Sequence, residues 1–202
     1  MLEESKPENT SESKVPTAQN HYDKADELFD QNDNEGAITE CTKAIELDPS
    51  FAGAYRLRGR VRSWLSDHDG AIDDYSKAIE LDPNNASHYM SRALLNVMRI
   101  FTTDGGYRYL GKTDTFEMAI SDLSEAIRLE PDDASAFAIS GDQYLSKAKW
   151  FCKTGHLSMG DLESAFSDYN KAIRLALEWT MAYSGRGMVH YMRGGLCPRR
   201  CG

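Results

Sequence analysis

Three groups of residues have types and spacings that could do chemistry. Gly106-Tyr-Arg-Tyr-Leu-Gly111-Lys112-Thr113 satisfies G-x-x-x-x-G-K-[ST], the spacing of a loop whose backbone amides cradle phosphate. That chemistry needs a strand before the loop, a helix after it, and an acid on a neighbouring strand for magnesium. Here a helical pattern precedes the loop, and two tyrosines and a leucine fill the space where amides must converge. Nucleotide binding at Lys112 therefore lacks its structural context. Cys197 and Cys201 stand at a spacing where two thiolates can share a metal, but Cys41 and Cys152 are too remote in the chain to complete a pair of pairs. The histidines (21, 68, 88, 156, 190) have no ligand spacing, and no serine, cysteine and histidine arrangement suggests a nucleophile with its base. The expectation is no catalysis, no cofactor and no metal. The third group is Arg56 and Arg60, four residues apart and so on one helix face. Together they can grip a carboxylate through bidentate hydrogen bonds.

Composition narrows the partners. A net charge of −9 and a pI near 5.0 disfavour nucleic acid and anionic membrane, which both need a basic surface. No apolar run approaches the ~20 residues that span a bilayer, and the polar start MLEESKPENTSESK is not a secretory signal, so a cytoplasmic location is expected. Residues 1–17 hold almost nothing apolar and are expected to form a disordered acidic and polar tail.

The elements that must position any site come from a repeat. Residues 70–83 read GAIDDYSKAIELDP, 36–49 read GAITECTKAIELDP, 118–131 read MAISDLSEAIRLEP, and 164–177 read SAFSDYNKAIRLAL. Pro49 and Pro83 lie 34 residues apart. Units then begin at Ala18, Ala52, Ala86 and Ala134, with an incomplete fifth at Thr180. The eighth place of each is small (Ala25, Gly59, Ala93, Gly141, Gly187), so that one helix can approach another closely. Ala37, Ala71, Ala119 and Ala165 open a second helix, and Ala44, Ala78, Ala126 and Ala172 follow two turns later on the same face. Ile79 and Leu81 are expected in the core, and proline ends the helix because it lacks the amide donor. Unit four has Leu177 in place of proline, which is expected to let its helix run on into Glu178-Trp179.

This pattern resembles the tetratricopeptide repeat over residues 18–193. The resemblance implies an all-α fold, a right-handed α-solenoid of antiparallel helix pairs with about four and a half units. The divisions are 18–51, 52–85, 86–133, 134–179 and a partial 180–193, followed by an irregular tail at 194–202. Two units carry insertions between their helices: Pro83 to Pro131 spans 48 residues and Ala119 to Ala165 spans 46. In unit four DQYLSKAKWFCK continues as helix toward Gly155, and Ser158 can cap the next helix. Tyr107, Tyr109, Leu110, Phe116, Trp150, Phe151, Leu157 and Leu162 let the two hairpins pack on each other, or form a ledge for a partner.

The resemblance also implies a concave groove lined by first helices. Its places are held by Tyr22, Asp26 and Phe29, by Arg56, Arg60 and Ser63, by Met90, Leu94 and Val97, and by Ala138, Asp142 and Leu145. The clamp that takes the C-terminal carboxylates of chaperones is absent, since its positions hold Tyr22, Asp26, Leu57, Ser87 and Ser91. The function expected is a non-catalytic scaffold or adaptor that binds a protein or peptide segment, one carrying an acidic group if Arg56 and Arg60 anchor it. Alternatively Arg60 pairs with Asp26, or the chain is a fragment of a larger assembly factor or enzyme-associated protein.

Overall fold

The computed structural model describes residues 16–98, 114–153 and 155–194, and among them every regular element is an α-helix. The phosphate-loop motif at 106–113, Tyr107, Tyr109, Leu110, the Val97 side chain, Cys197, Cys201, residues 1–15 and 195–202 lie outside the described residues. The helices are α1 (Ala18–Asp30), α2 (Asn34–Leu47), α3 (Ala52–Trp64), α4 (His68–Leu81), α5 (Ala86–Met98), α6 (Asp114–Leu129), α7 (Ala134–Lys153), α8 (Met159–Leu175) and α9 (Thr180–Arg193).

Local chemistry sets the helix ends. Thr17 closes a capping box with Asn20 at the start of α1, while Asp33 and Asp67 accept from the amides of Gly36 and Gly70 to start α2 and α4. Ser158 caps α8 as the sequence suggests, accepting from the Asp161 amide at 3.3 Å. The expected run-on of α8 does not occur. It ends at Leu175 without a proline, with Ala176 in extended backbone, because Trp179 turns inward to pack on the cluster shared by α7, α8 and α9. Burying that indole outweighs another helical turn.

Each first helix packs on the second helix of its pair (α1 on α2, α3 on α4, α5 on α6, α7 on α8), and each second helix meets the next first helix. First helices also touch one another, α1 with α3, α3 with α5 and α7 with α9, so α1, α3 and α5 form a shared wall. This is the α-solenoid. The alanine landmarks are its seams: Ala25, Ala37, Ala44, Ala71, Ala78, Ala93, Ala119, Ala165 and Ala172 have no exposed surface. Gly59 and Gly141 admit Tyr75 and Tyr169 so closely that an added Cβ would lie 2.9 Å from each ring. Ile79 and Leu81 do not fill the core as expected. They are half-buried, and Leu47 at the matching place is mostly exposed, because the tight alanine seam leaves the following turn at the rim.

The unit-four insertion is built as added helix: α7 runs 20 residues and α8 17, against 13 and 14 for α3 and α4. Its extension packs back on the preceding pair, with Phe116 and Ile120 of α6 against Tyr144 and Trp150 of α7. Lys147 reinforces that seam, 2.8 Å from Glu117 on α6 and 3.3 Å from Asp161 on α8. The described part of the two hairpins therefore packs on itself.

Candidate functional site

Helix α3 reads AGAYRLRGRVRSW and places an arginine at every second position from 56 to 62. Residues two apart diverge on a helix and residues four apart converge, so the four guanidiniums divide into two pairs on different faces. Arg58 and Arg62 turn to α4 and share Asp74, which is 3% exposed. Arg58 makes a bidentate pair with it at 2.7 and 3.0 Å, and Arg62 adds a bond of 2.8 Å. Arg56 and Arg60 lie on the wall of first helices, where Arg60 reaches across the seam to α1.

The Arg58–Asp74 pair is one rung of a ladder that the sequence reading missed. Lys24 meets Glu40 at 3.0 Å, and Arg92 meets Asp122 at 2.7 and 2.9 Å. Arg58 also donates to the Thr42 hydroxyl of the preceding pair, Arg92 to that of Ser76, and Arg186 to the Asn170 side-chain oxygen at 2.9 Å. The signal was legible: Lys24, Arg58, Arg92 and Arg186 hold the seventh place of their units, one before the small residue. In the fourth pair that place is Ser140, which hydrogen-bonds Asp168, and burial pushes the Asp168 carboxyl above its ordinary range.

The first rung makes a pH prediction. Glu40 is buried among three donors: His21 Nδ1, which must donate to an ionised carboxylate, at 2.5 Å, and Lys24 and Lys43 at 3.0 Å each. The His21 bond first, then burial opposing it, then the two lysines bring its carboxyl from 4.5 to about 2. A depressed folded value means stability held above the unfolded value and lost as pH falls through the folded one. Denaturant titrations should therefore show the wild type losing stability from about pH 4.5 toward about pH 2, and Glu40→Gln losing less over that window while being weaker at pH 7.

On the wall, Arg60 pairs with Asp26 at 2.9 Å and its guanidinium lies 4.7 Å over the Phe29 ring. Both members of that pair are open to solvent, at 43% and 48%. Tyr22 stacks on Phe51 with centroids 5.1 Å apart. Arg56, half-buried one turn before Arg60, has no hydrogen-bond or ion-pair partner among the described residues, although its charge reaches Tyr75 and His88. Ser63 is half-buried on the same helix. On α5, Leu94 is 41% exposed, whereas Met90 leans into the cluster of Ala93, Ala119 and Leu123. The structure thus gathers Asp26, Phe29 and Arg60, with Arg56 alongside.

The fourth pair contributes differently. Ala138 and Leu145, expected on the groove, are buried with Val189 and Met192, because α9 covers that stretch of α7. Asp142 accepts a 2.6 Å bond from the Tyr169 hydroxyl, burial raises its carboxyl, and no bond joins it to the arginine pair among the described residues. Cys41 is a buried thiol whose desolvation pushes it up to about 12, so it packs as a small apolar side chain. Among the described residues no three His, Cys, Asp or Glu side chains gather as a metal cluster, and no helix is long and apolar enough to cross a membrane.

Known proteins share this arrangement. Family models for the TPR repeat and the tetratricopeptide repeat match residues 25–62 and 52–85. No curated relative matches. Similar solved structures include the MamA protein, at 23% identity and a TM-score of 0.69 over 88% of this chain and 82% of that one. YrrB, titled a TPR protein with an unusual peptide-binding site, is 20% identical with a TM-score of 0.66 over 88% and 78%. The first TPR of Spaghetti (RPAP3), bound to the HSP90 peptide SRMEEVD, is 20% identical with a TM-score of 0.56 over 71% and 93%. At these identities the likeness carries the fold. With the family matched over residues 25–85 and the same helix pairing continued through α8, the chain is a tetratricopeptide repeat protein.

Proposed function

We propose that the chain is a non-catalytic scaffold that holds an acidic segment of a partner protein along its wall of first helices. The division of the α3 arginines carries this reading: Arg58 and Arg62 are consumed by Asp74, while among the described residues Arg56 has no hydrogen-bond or ion-pair partner and the one acid that Arg60 meets, Asp26, is solvent-exposed. An exposed pair such as Arg60–Asp26 is worth ~0–1 kcal/mol, so a ligand carboxylate gripped by two guanidiniums can displace Asp26. Phe29 and Leu94 flank the arginines with apolar surface for the neighbouring side chains of the segment. That YrrB and the Spaghetti domain are described with peptides supports the class of ligand. The residues at the chaperone-clamp positions differ, Leu57 being buried, so the acidic group is read by α3 instead.

The test is a peptide library panned against the purified chain. Selected peptides should be rich in Asp or Glu next to an apolar residue. Their affinity should fall at least about tenfold in the Arg56→Glu, Arg60→Glu double variant, since charge-assisted bonds are lost and repulsion added. Selection without acidic enrichment, or binding indifferent to the double variant, overturns the reading.

A further inference from the structure

The third place of each unit faces the pair before it. Asn20 of α1, with no described pair ahead of it, is exposed, whereas Ala54, Ala136 and Ala182 are at most 1% exposed. In α5 that place is His88, so an imidazole stands where the other seams take a methyl group. The ring is 2% exposed, and both its nitrogens are buried with no hydrogen-bond partner among the described residues. Burying polar atoms without partners opposes folding, and alanine at this place would avoid that cost. Packing alone does not account for the imidazole.

Two charged groups act on the ring from the elements packed against it. Arg56 of α3 acts across the seam: burial first, then the Arg56 charge, holds the imidazole below its ordinary range. Asp82, the C-cap of α4, opposes them from 3.8 Å off Nε2, a distance at which no hydrogen bond forms. Its carboxylate is 46% exposed and accepts from Asn85 at 3.2 Å, so a small side-chain turn brings it onto a charged ring. Tyr75 of α4 shares the field of Arg56 but, pushed up to about 12 mainly by burial, stays neutral. On α5 itself, Arg92 is committed to Asp122 and Ser76, and the Tyr89 hydroxyl donates to the Pro83 carbonyl. The ring thus lies between a cation with no anion of its own and an anion just out of reach.

We propose that His88 makes acid binding at Arg56 proton-linked: a partner carboxylate seated on Arg56 lets the imidazole take up a proton and close on Asp82. This regulation rests on the acid site proposed above. The incoming carboxylate cancels the charge that keeps the ring neutral, and Asp82 then favours the imidazolium. The proton comes from solvent and adds to the bare ring nitrogen, so that Nε2 donates to the Asp82 carboxylate. The coupling is reciprocal, so a protonated ring strengthens the hold on the acid. Affinity therefore rises as pH falls through the range where imidazole titrates and the carboxylates of the peptide stay ionised.

The test uses the full chain and the acidic peptide selected from the library. Calorimetric titrations at about pH 6, in two buffers of different ionisation enthalpy, count the protons taken up on binding. Wild type should take up a fraction of a proton, and its affinity should rise about fivefold from about pH 7.5 to about pH 5.5. His88→Ala copies the residue of the other seams, so it should fold, and it should bind with no proton uptake and an affinity flat over that range. The His88 ring resonances, assigned by their loss in that variant, should titrate at higher pH with the peptide bound than without it. A wild-type affinity independent of pH, the result for a ring held neutral by an internal water, overturns the proposal. Proton uptake that persists in His88→Ala overturns it equally. Binding that needs Arg56 and Arg60 yet takes up no proton leaves the acid site standing and removes His88 from it. A library without acidic peptides, or binding indifferent to the Arg56→Glu, Arg60→Glu double variant, removes the site and its regulation together.

Discussion

Replacing Asp74 with alanine is expected to remove about 3–5 kcal/mol of stability, the range for breaking a buried ion pair by deleting one partner. Arg58 is 14% exposed and would face an empty seam, while Arg62, 27% exposed, keeps the Gly70 carbonyl at 3.2 Å and Asp67 at 3.7 Å. The loss lies mainly in the stranded Arg58 charge, not in the intrinsic worth of the pair, since burying ions costs nearly what their attraction returns. Two comparisons separate those terms. Asp74→Asn keeps the shape and part of the hydrogen bonding and should lose less than Asp74→Ala. The double change Arg58→Leu, Asp74→Leu removes the buried pair and offers apolar packing instead, and should recover much of the loss, although Arg62 then loses its main contact. Urea denaturation of the three variants gives the comparison directly. If Asp74→Ala falls within about 1 kcal/mol of wild type, the rung is an exposed pair in solution and the ladder does not hold the seams.

Tyr169→Ala is the second large loss, about 3–5 kcal/mol by analogy with other buried aromatic truncations. The ring has no exposed surface and is the largest side chain of the cluster that joins α7, α8 and α9. It is held on two sides by glycines: an added Cβ at Gly141 would lie 2.9 Å from the ring, and one at Gly185 only 2.3 Å from Cζ. Gly185→Ala is therefore expected to cost about 1–3 kcal/mol through overpacking, because a ring buried on every side cannot yield. Tyr169→Phe isolates the hydroxyl bond to Asp142, worth about 1–3 kcal/mol when a buried partner is left unsatisfied. Asp142 already sits above its ordinary range through burial, and the hydroxyl offsets part of that. Losing it should raise the carboxyl further, so the penalty of Tyr169→Phe should be larger at pH 7 than below the ordinary carboxylate range, where the acid is protonated in either state. Thermal melts at the two pH values report the difference.

The repeat frame was legible because sterics wrote it into short spacings. The alanines and glycines at fixed places have no substitutes where two helices touch, and Pro49, Pro83 and Pro131 mark helix stops that the structure confirms. The unit-four stop departs from the expectation because the absence of a proline is only a local signal, whereas Trp179 packs against the α7, α8 and α9 cluster in a way that no local pattern encodes. Ile79 and Leu81 were placed in the core from hydrophobicity alone, although the turn they occupy lies beyond the seam. The charged ladder is present in the sequence at the repeat period, as Lys24, Arg58, Arg92 and Arg186, but spacing alone does not show which group of a second helix closes each rung. Arg58, with a bidentate acid and a hydroxyl from the neighbouring pair, is a structural group. On the groove, spacing alone paired Arg56 with Arg60 and allowed the bond to Asp26. It had no means of showing that α9 would cover Ala138 and Leu145, because that depends on how far the fifth first helix leans over α7.

The most direct measurement is site-specific photo-crosslinking with the acidic peptide selected on the chain. A photoreactive residue at Leu94, on the wall of first helices, is compared with one at Met118, exposed on the second helix α6. The account predicts an adduct from position 94 that is lost in the Arg56→Glu, Arg60→Glu background, and none from position 118. Adducts from position 118 that survive in that background, with position 94 silent, would contradict it.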